Sequence, residues 1–430
     1  MYQRKQYLNE LISKKDNGRV KIITGLRRSG KSVLLLKLYR GWLLSQGIQK
    51  DQIVSLSLDV VANATYRDPV KLDRYIRSQM HDSTKRYYIF LDEIQFVSDI
   101  PNPYVNNPNA RITFVDVVLG LMQMENVDVY ITGSNSNMLS SDILTQFRDR
   151  GDEIRVYPLS YAEFYENYEG DKRDAWQEYY TYGGMPYVYS LKTHEERSKY
   201  LKDLLERTYI KDVLERHSIK NSKEILDVLL DVLASSIGSL TNPNKLSHAF
   251  KSDRGIQINS DTIAKYLVYF EDSFLLSKAL RYDVKGKKYI HTPSKYYYTD
   301  LGLRNACLSF RQMEENHIME NILYNDLKRR GMDVDVGVVE YNTKDPQDKN
   351  VRKQLEVDFV VNQGEKRIYI QSALSVDDFK KREQEIASLL RIHDSFEKIV
   401  VIKDYRKPWR DDHGILYVGV EQFLLDNDIV

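Results

Sequence analysis

Cysteine is nearly absent: Cys307 is the only one in 430 residues. That excludes an internal disulfide framework, and one thiol with eight scattered histidines offers no zinc-site spacing. Cys307 is expected to be a buried, reduced thiol. Long apolar runs are also missing. No stretch approaches the roughly eighteen consecutive apolar residues of a membrane span, and the start, Met1-Tyr2-Gln3-Arg4-Lys5-Gln6, lacks the apolar core of a signal peptide. A cytoplasmic protein without membrane contact is expected. Neither sign of charge is in excess, since 63 Lys and Arg against 62 Asp and Glu leave a formal +1. Any nucleic-acid binding must then come from a local patch. The 32 tyrosines are many but spread along the chain.

What is present is length and one dense motif. A chain of 430 residues is too long for one core, and roughly two to four domains are expected. The motif is Val20-Lys21-Ile22-Ile23-Thr24-Gly25-Leu26-Arg27-Arg28-Ser29-Gly30-Lys31-Ser32. It reads as a buried strand that breaks into a phosphate-binding loop with G-x-x-x-x-G-K-[ST] spacing. The apolar pattern of Val33, Leu34, Leu35, Leu36 and Leu38 supplies the following helix. Gly25 and Gly30 allow positive φ, so that the N–H groups from Gly25 through Val33 can turn toward phosphate oxygens. The helix points its positive end at the same anion. Lys31 would reach the β and γ phosphates, and Ser32 would place its hydroxyl on magnesium.

Tyr87-Tyr88-Ile89-Phe90-Leu91-Asp92-Glu93 is an apolar strand ending in two carboxylates. Asp92 would hold the magnesium and Glu93 would activate the attacking water, which points to hydrolysis as well as binding. A third apolar strand, Val127-Asp128-Val129-Tyr130-Ile131-Thr132-Gly133-Ser134-Asn135, ends in a small polar cluster, which could sense the γ phosphate. With Ile53 to Asp59 these strands alternate with helical segments and predict a parallel sheet covered by helices on both faces. Ligands then sit at the carboxyl ends of the strands.

Four segments in order, G-L-R-R-S-G-K-S, F-L-D-E-I-Q, I-T-G-S-N-S and Y-P-L-S-Y-A-E-F (Tyr157 to Phe164), precede Tyr182-Gly183-Gly184-Met185-Pro186. Over nearly its whole length the chain resembles the bacterial and archaeal AAA+-type P-loop ATPases that carry a C-terminal domain of unknown function. The resemblance implies ATP, rather than GTP, with Mg2+. It puts Ser134 or Asn135 in the sensor position and Arg148 or Arg150 in the arginine-finger region. An arginine there would stabilise the charge of the transferring phosphoryl group; whether it acts within its own chain or across an interface stays open. One departure from the family pattern is Pro101-Asn102-Pro103-Tyr104-Val105-Asn106-Asn107-Pro108-Asn109, an insertion just after the acidic strand. Its prolines and asparagines predict an extended or turning loop and not a helix.

Residues from about 160 to 218 are helical, aromatic and charged, and are interrupted at Gly183 to Pro186, which suits a helical lid. From about 221 to 308 come three helices (Ile225 to Ile237, Lys245 to Phe250, and one capped at Asn259-Ser260-Asp261). Two strands follow, Phe274 to Tyr282 and Lys288 to Tyr298, in winged-helix order, which the resemblance supports. If this module binds DNA, Lys285, Lys287 and Lys288 would touch the backbone. The exposed side of the third helix carries Asp261, Lys265 and Glu271, so a protein-contacting winged helix ranks slightly above a DNA reader.

The remaining α/β order resembles a restriction-endonuclease-like core. Asp358 fits its first metal position, with Glu320 on a preceding helix. Gln371-Ser372-Ala373 stands where such enzymes carry Glu-x-Lys. Glutamine cannot bring a carboxylate's charge to a hard cation, and Ala373 has no proton-transfer group. Nuclease activity is therefore not expected. The expected architecture is α/β and multidomain: a P-loop ATPase core over 1–159, a helical lid over 160–220, a winged-helix-like domain over 221–308, and an inactive nuclease-like domain over 309–430. Candidate partners are nucleotide, a protein or a second copy, and DNA through the winged helix.

Overall fold

A computed structural model describes residues 2–133, 147, 150–216, 223–311, 314–344 and 349–430. It divides into two compact units, Met1–Pro158 with Asp272–Phe274, and Leu159–Glu271 with Leu275–Val430.

The first unit is built on strands β1 (Val20–Thr24), β2 (Ile53–Ser57), β3 (Tyr87–Asp92), β6 (Val127–Thr132) and β7 (Gly151–Arg155). They form one sheet in the order β2-β3-β6-β1-β7, parallel at every pairing. The three central strands are buried at every position, as expected where helices cover both faces. The two charged residues near their amino ends answer each other: Lys21 pairs with Asp128, both with side chains at most 2% exposed. Asp128 also accepts from the Tyr130 hydroxyl at 2.7 Å, and that hydroxyl lies 2.5 Å from Tyr39's. Residues 31–45 are helical throughout, with a π-helical middle at Leu34–Tyr39. Helix Pro69–Gln79 starts on an Asp68 cap with proline in its first turn, and helix Phe114–Leu121 on a Thr113/Asp116 capping box. Of the two forms expected, extended or turning, the Pro101–Asn109 segment is the turning loop, closed at its base by β4 (Ile100–Pro101) and β5 (Arg111–Ile112), with Tyr104 87% exposed at its tip.

The second unit opens with helices Tyr161–Glu166, Ala175–Tyr182 and His194–Leu204. Gly183 ends the second of these at φ 72, and a Cβ there would lie 2.4 Å from the Gly302 nitrogen and 2.6 Å from Asp300 Oδ1. The glycine pair therefore does more than break a helix. Asp300 accepts from the N–H of Gly184 at 2.7 Å and of Leu303 at 3.0 Å, so one buried carboxylate joins the turn to the helix Leu301–Cys307 that it caps. Cys307 is half-buried rather than buried, and desolvation pushes its thiol up to about 12.

Helices Lys223–Ser235, Pro243–Arg254 and Ser260–Asp272 lead into β8 (Leu276–Asp283) and β9 (Lys288–Tyr298). The order is the expected one, but the hairpin is not a free wing. β8 pairs in parallel with β10 (Asp333–Lys344), which makes the hairpin one side of an eight-stranded mixed sheet. The others are β11 (Asn350–Gln363), β12 (Lys366–Ala373), β13 (Glu397–Ile402), β14 (Trp409–Arg410) and β15 (Leu416–Gly419), in the order β14-β15-β13-β12-β11-β10-β8-β9. Helix Glu315–Arg329 packs against β9 to β12, and helix Phe379–Leu390 against β11 and β12.

Among the described residues, no helix is long and apolar enough to cross a membrane.

Candidate nucleotide-binding site

β6 lies between β1 and β3, and Thr132, its last residue, pairs with Ile23. The loop that leaves β1 and the acids that end β3 therefore face each other across the end of β6. Gly25 and Gly30 sit at φ 126 and 102, and Arg28 between them at φ 63. At Gly25 a Cβ would lie 2.1 Å from the Val156 carbonyl oxygen, so no other residue fits. Gly30 caps the helix that begins at Lys31. The loop thus directs backbone donors and a helix N-terminus to one place, while the wholly buried Ser29 hydroxyl has no hydrogen-bond partner among the described residues. These features fit a phosphate chain.

Lys31 Nζ donates to the carbonyls of Gly25 and Leu26, each at 3.0 Å. Burial pulls this ammonium down to about 8, opposed by the charges of Glu93 and Asp92. Asp92 Oδ1 accepts from Ser32 Oγ at 2.9 Å and from Thr132 Oγ1 at 2.5 Å. Burial raises the Asp92 carboxyl above its ordinary range, against the bonds from Thr132 and Ser32. A hydroxyl and a carboxylate in contact form an oxygen donor set of the kind magnesium takes. Glu93 stands at φ 55, its N–H donates to Thr132 Oγ1 at 3.1 Å, and its Oε2 accepts from Gln95 Nε2.

The predicted residues Gly25, Ser29, Gly30, Lys31, Ser32, Asp92 and Glu93 are brought together. Leu26 is buried within the loop; Arg27 is half-buried and Arg28 exposed. Ser134, Asn135 and Arg148 lie outside the described residues. Arg150 is not brought to the phosphate loop of its own chain. Its carbonyl accepts from Val20 N at 3.0 Å, at the amino end of β1. The loop leaves the other end of that five-residue strand, about 13 Å away at the usual rise. Two residues were missed. Thr132 was visible only as a residue of an apolar strand, and Gln95 only as the end of F-L-D-E-I-Q.

A second polar cluster is buried in the eight-stranded sheet. Lys295 Nζ of β9 lies 2.8 Å from Glu320 Oε1 and 2.7 Å from Glu356 Oε1, and Tyr297 donates to Glu320 at 2.6 Å. Burial pulls the Lys295 ammonium down, but Glu320, Asp358 and Glu356 outweigh it and hold it above the lysine range. Asp358 Oδ2 accepts from the Ser372 N–H and hydroxyl at 2.7 and 2.8 Å. Burial, then the Glu320 charge, push Asp358 up to about 7. Gln371 only accepts from the Asp358 N–H, at 3.4 Å. Among the described residues, no group of three or more His, Cys, Asp or Glu is arranged to hold a metal ion.

Residues 17–165 match a family described as an AAA domain, a stretch that includes the phosphate loop, Asp92, Glu93 and Thr132. Residues 173–314 match a domain of unknown function (DUF8612). An uncharacterized protein of Haemophilus influenzae is 32% identical over 430 residues, covering 99% of each chain. An uncharacterized protein of Methanocaldococcus jannaschii is 27% identical over 382 residues, 85% of this chain and 77% of its own length. Among solved structures, a Walker-type ATPase of Pyrococcus abyssi aligns at 12% identity and a TM-score of 0.49, over 72% of this chain and 96% of that one.

Proposed function

The chain belongs to one family with the Haemophilus influenzae protein and carries an AAA domain; we propose that it hydrolyses ATP with magnesium and uses the cycle as a conformational switch for regulation or assembly. The observation that carries this reading is the contact of Ser32 and Thr132 with Asp92 beside Lys31 and Glu93. The loop N–H groups and Lys31 bind the phosphates. Ser32 and Asp92 hold magnesium, which when bound spreads positive charge over the phosphate oxygens. Glu93 takes a proton from the attacking water. Ser134 or Asn135 serves as sensor, and Arg148 or Arg150 as finger; the position of Arg150 favours action across an interface with a second copy. ATP over GTP rests on the family resemblance, and we keep the cytoplasm as the location.

The lid, winged-helix and nuclease-like segments stay part of this reading as stretches within the second compact unit, not as separately folding domains, as does the nuclease-like fold of the last segment. Its inactivity is supported by Gln371 and Ala373, and by Lys295, which supplies the cluster's positive charge from within the protein. The alternative is an ATP-gated DNA-binding or DNA-processing protein. Exposed Lys287 and Lys288 favour it, while Lys285 is already bonded to the Glu340 carbonyl at 3.0 Å.

The test measures nucleotide affinity and phosphate release together. Glu93→Gln should bind ATP within a few-fold of wild type and lose turnover by about a hundredfold or more. Lys31→Ala should lose binding. Unchanged turnover in Glu93→Gln would remove the role assigned to Glu93, and a wild-type chain that releases no phosphate from ATP would remove the hydrolysis reading.

A further inference from the structure

β3 does not end loosely. Glu93 turns the chain in the left-handed region, and Phe96 N and Val97 N then donate to the Glu93 and Ile94 carbonyls at 3.1 and 2.9 Å. Ile94 and Val97 are buried in the core below, and the Arg67 guanidinium lies 5.1 Å over the Phe96 ring. This turn, Ile94–Phe96, fixes where Gln95 stands.

The Gln95 amide meets Glu93 Oε2. An ionised carboxylate only accepts, so the NH2 end of the amide must be the end that faces it. The amide oxygen is thereby turned away, and Gln95 Oε1 is buried without a hydrogen-bond partner among the described residues. A buried, unpaired carbonyl is unfavourable, and native proteins keep few of them. Here the cost falls on a side chain whose other end holds the carboxylate that is to take the water's proton.

We propose that Gln95 is a positioning residue for ATP hydrolysis, its amide N–H fixing the orientation of the Glu93 carboxylate. Thr132 fixes the same residue's backbone at 3.1 Å, so main chain and side chain of Glu93 are held from separate points. The inference rests on the hydrolysis reading. In that reaction the water oxygen bonds to the γ phosphorus as the bond to the bridging oxygen breaks. The electron pair leaves with ADP, and one water proton passes to the oriented Glu93 carboxylate.

The experiment is a double-mutant cycle on the full chain, read by single-turnover phosphate release and ATP affinity. Gln95→Leu removes the amide, and Gln95→Glu sets a like charge against Glu93 at nearly equal size. Each should lower the rate about ten- to a hundredfold, as loss of alignment does, with ATP affinity within about twofold of wild type. In a Glu93→Gln background, Gln95→Leu should cost less than about twofold, because the group it aligns is already gone. Gln95→Glu keeps the test open if Gln95→Leu folds poorly. Equal losses in both backgrounds, or a wild-type rate in Gln95→Leu, would overturn the role. A wild-type chain with no ATP turnover would instead overturn the hydrolysis reading, and turnover independent of Glu93 would overturn this inference alone.

Discussion

Thr132 donates to Asp92 Oδ1 at 2.5 Å, and the same hydroxyl oxygen accepts from the Glu93 N–H at 3.1 Å. One side chain thus fixes both acids of the site. Thr132→Val keeps the shape and deletes both bonds, leaving Asp92 Oδ1 to Ser32 and taking from the Glu93 N–H this acceptor. Turnover should fall by about tenfold or more, which is about 1.4 kcal/mol in the barrier, while Thr132→Ser stays near wild type. Steady-state phosphate release on the three proteins decides it. A wild-type rate in Thr132→Val would reduce the hydroxyl to a space-filler.

Lys295 is the cation that Glu320 and Glu356 share, with Asp358 beside them. Lys295→Met strands buried carboxylates, a change that typically costs about 3–5 kcal/mol. Glu320→Gln in the same chain should recover part of that loss, because the pair is coupled. Urea denaturation of the single and double variants reads both. A loss below about 0.5 kcal/mol, the size of an ordinary surface substitution, would show that the cluster does not depend on this lysine.

Acidity gives a separate handle on the same cluster. The folded Asp358 carboxyl stands at about 7, above its ordinary 3.8. A group raised on folding stabilises fully below its unfolded value, and that contribution is lost as pH rises through the folded one. His317, raised by Glu320, acts in the same direction. The melting temperature should therefore fall as pH rises from about 4 through about 7, and Asp358→Asn should flatten the fall. Parallel profiles for wild type and Asp358→Asn would mean that Asp358 does not titrate in this window.

The parts of the fold that were legible are those in which one short segment carries its own signal. The central strands were readable because they are almost wholly apolar, and Lys21 and Asp128 did not hide them. β7 was not readable. Its residues Gly151-Asp152-Glu153-Ile154-Arg155 bury only Ile154, because it is an edge strand held by pairing to β1. The phosphate loop and the two acids were likewise local. Thr132 was not, since its part in the site depends on β6 lying between β1 and β3, a fact of strand order that no window of sequence contains.

The same limit applies to the hairpin. Its two strands were legible from Phe274 to Tyr298, and its neighbour was not, because β10 begins 50 residues after Asp283. Lys295, Glu320, Glu356 and Asp358 come from one strand, one helix and another strand. Only Glu320 and Asp358 were singled out from the sequence, and a lysine in Pro-Ser-Lys-Tyr-Tyr-Tyr carries no sign of the carboxylates it will meet.

The Asp300 carboxylate joins the Gly184 turn to a helix more than a hundred residues later. Together with the pairing of β8 to β10, it ties both ends of the second unit to its middle. Dividing the protein for separate expression at residue 220 or 308 would cut through shared cores and bare the β8 edge to pairing with other chains. A cut near residue 158 follows the boundary between the two compact units. The helices, the hairpin and the last sheet then stay together as one compact unit.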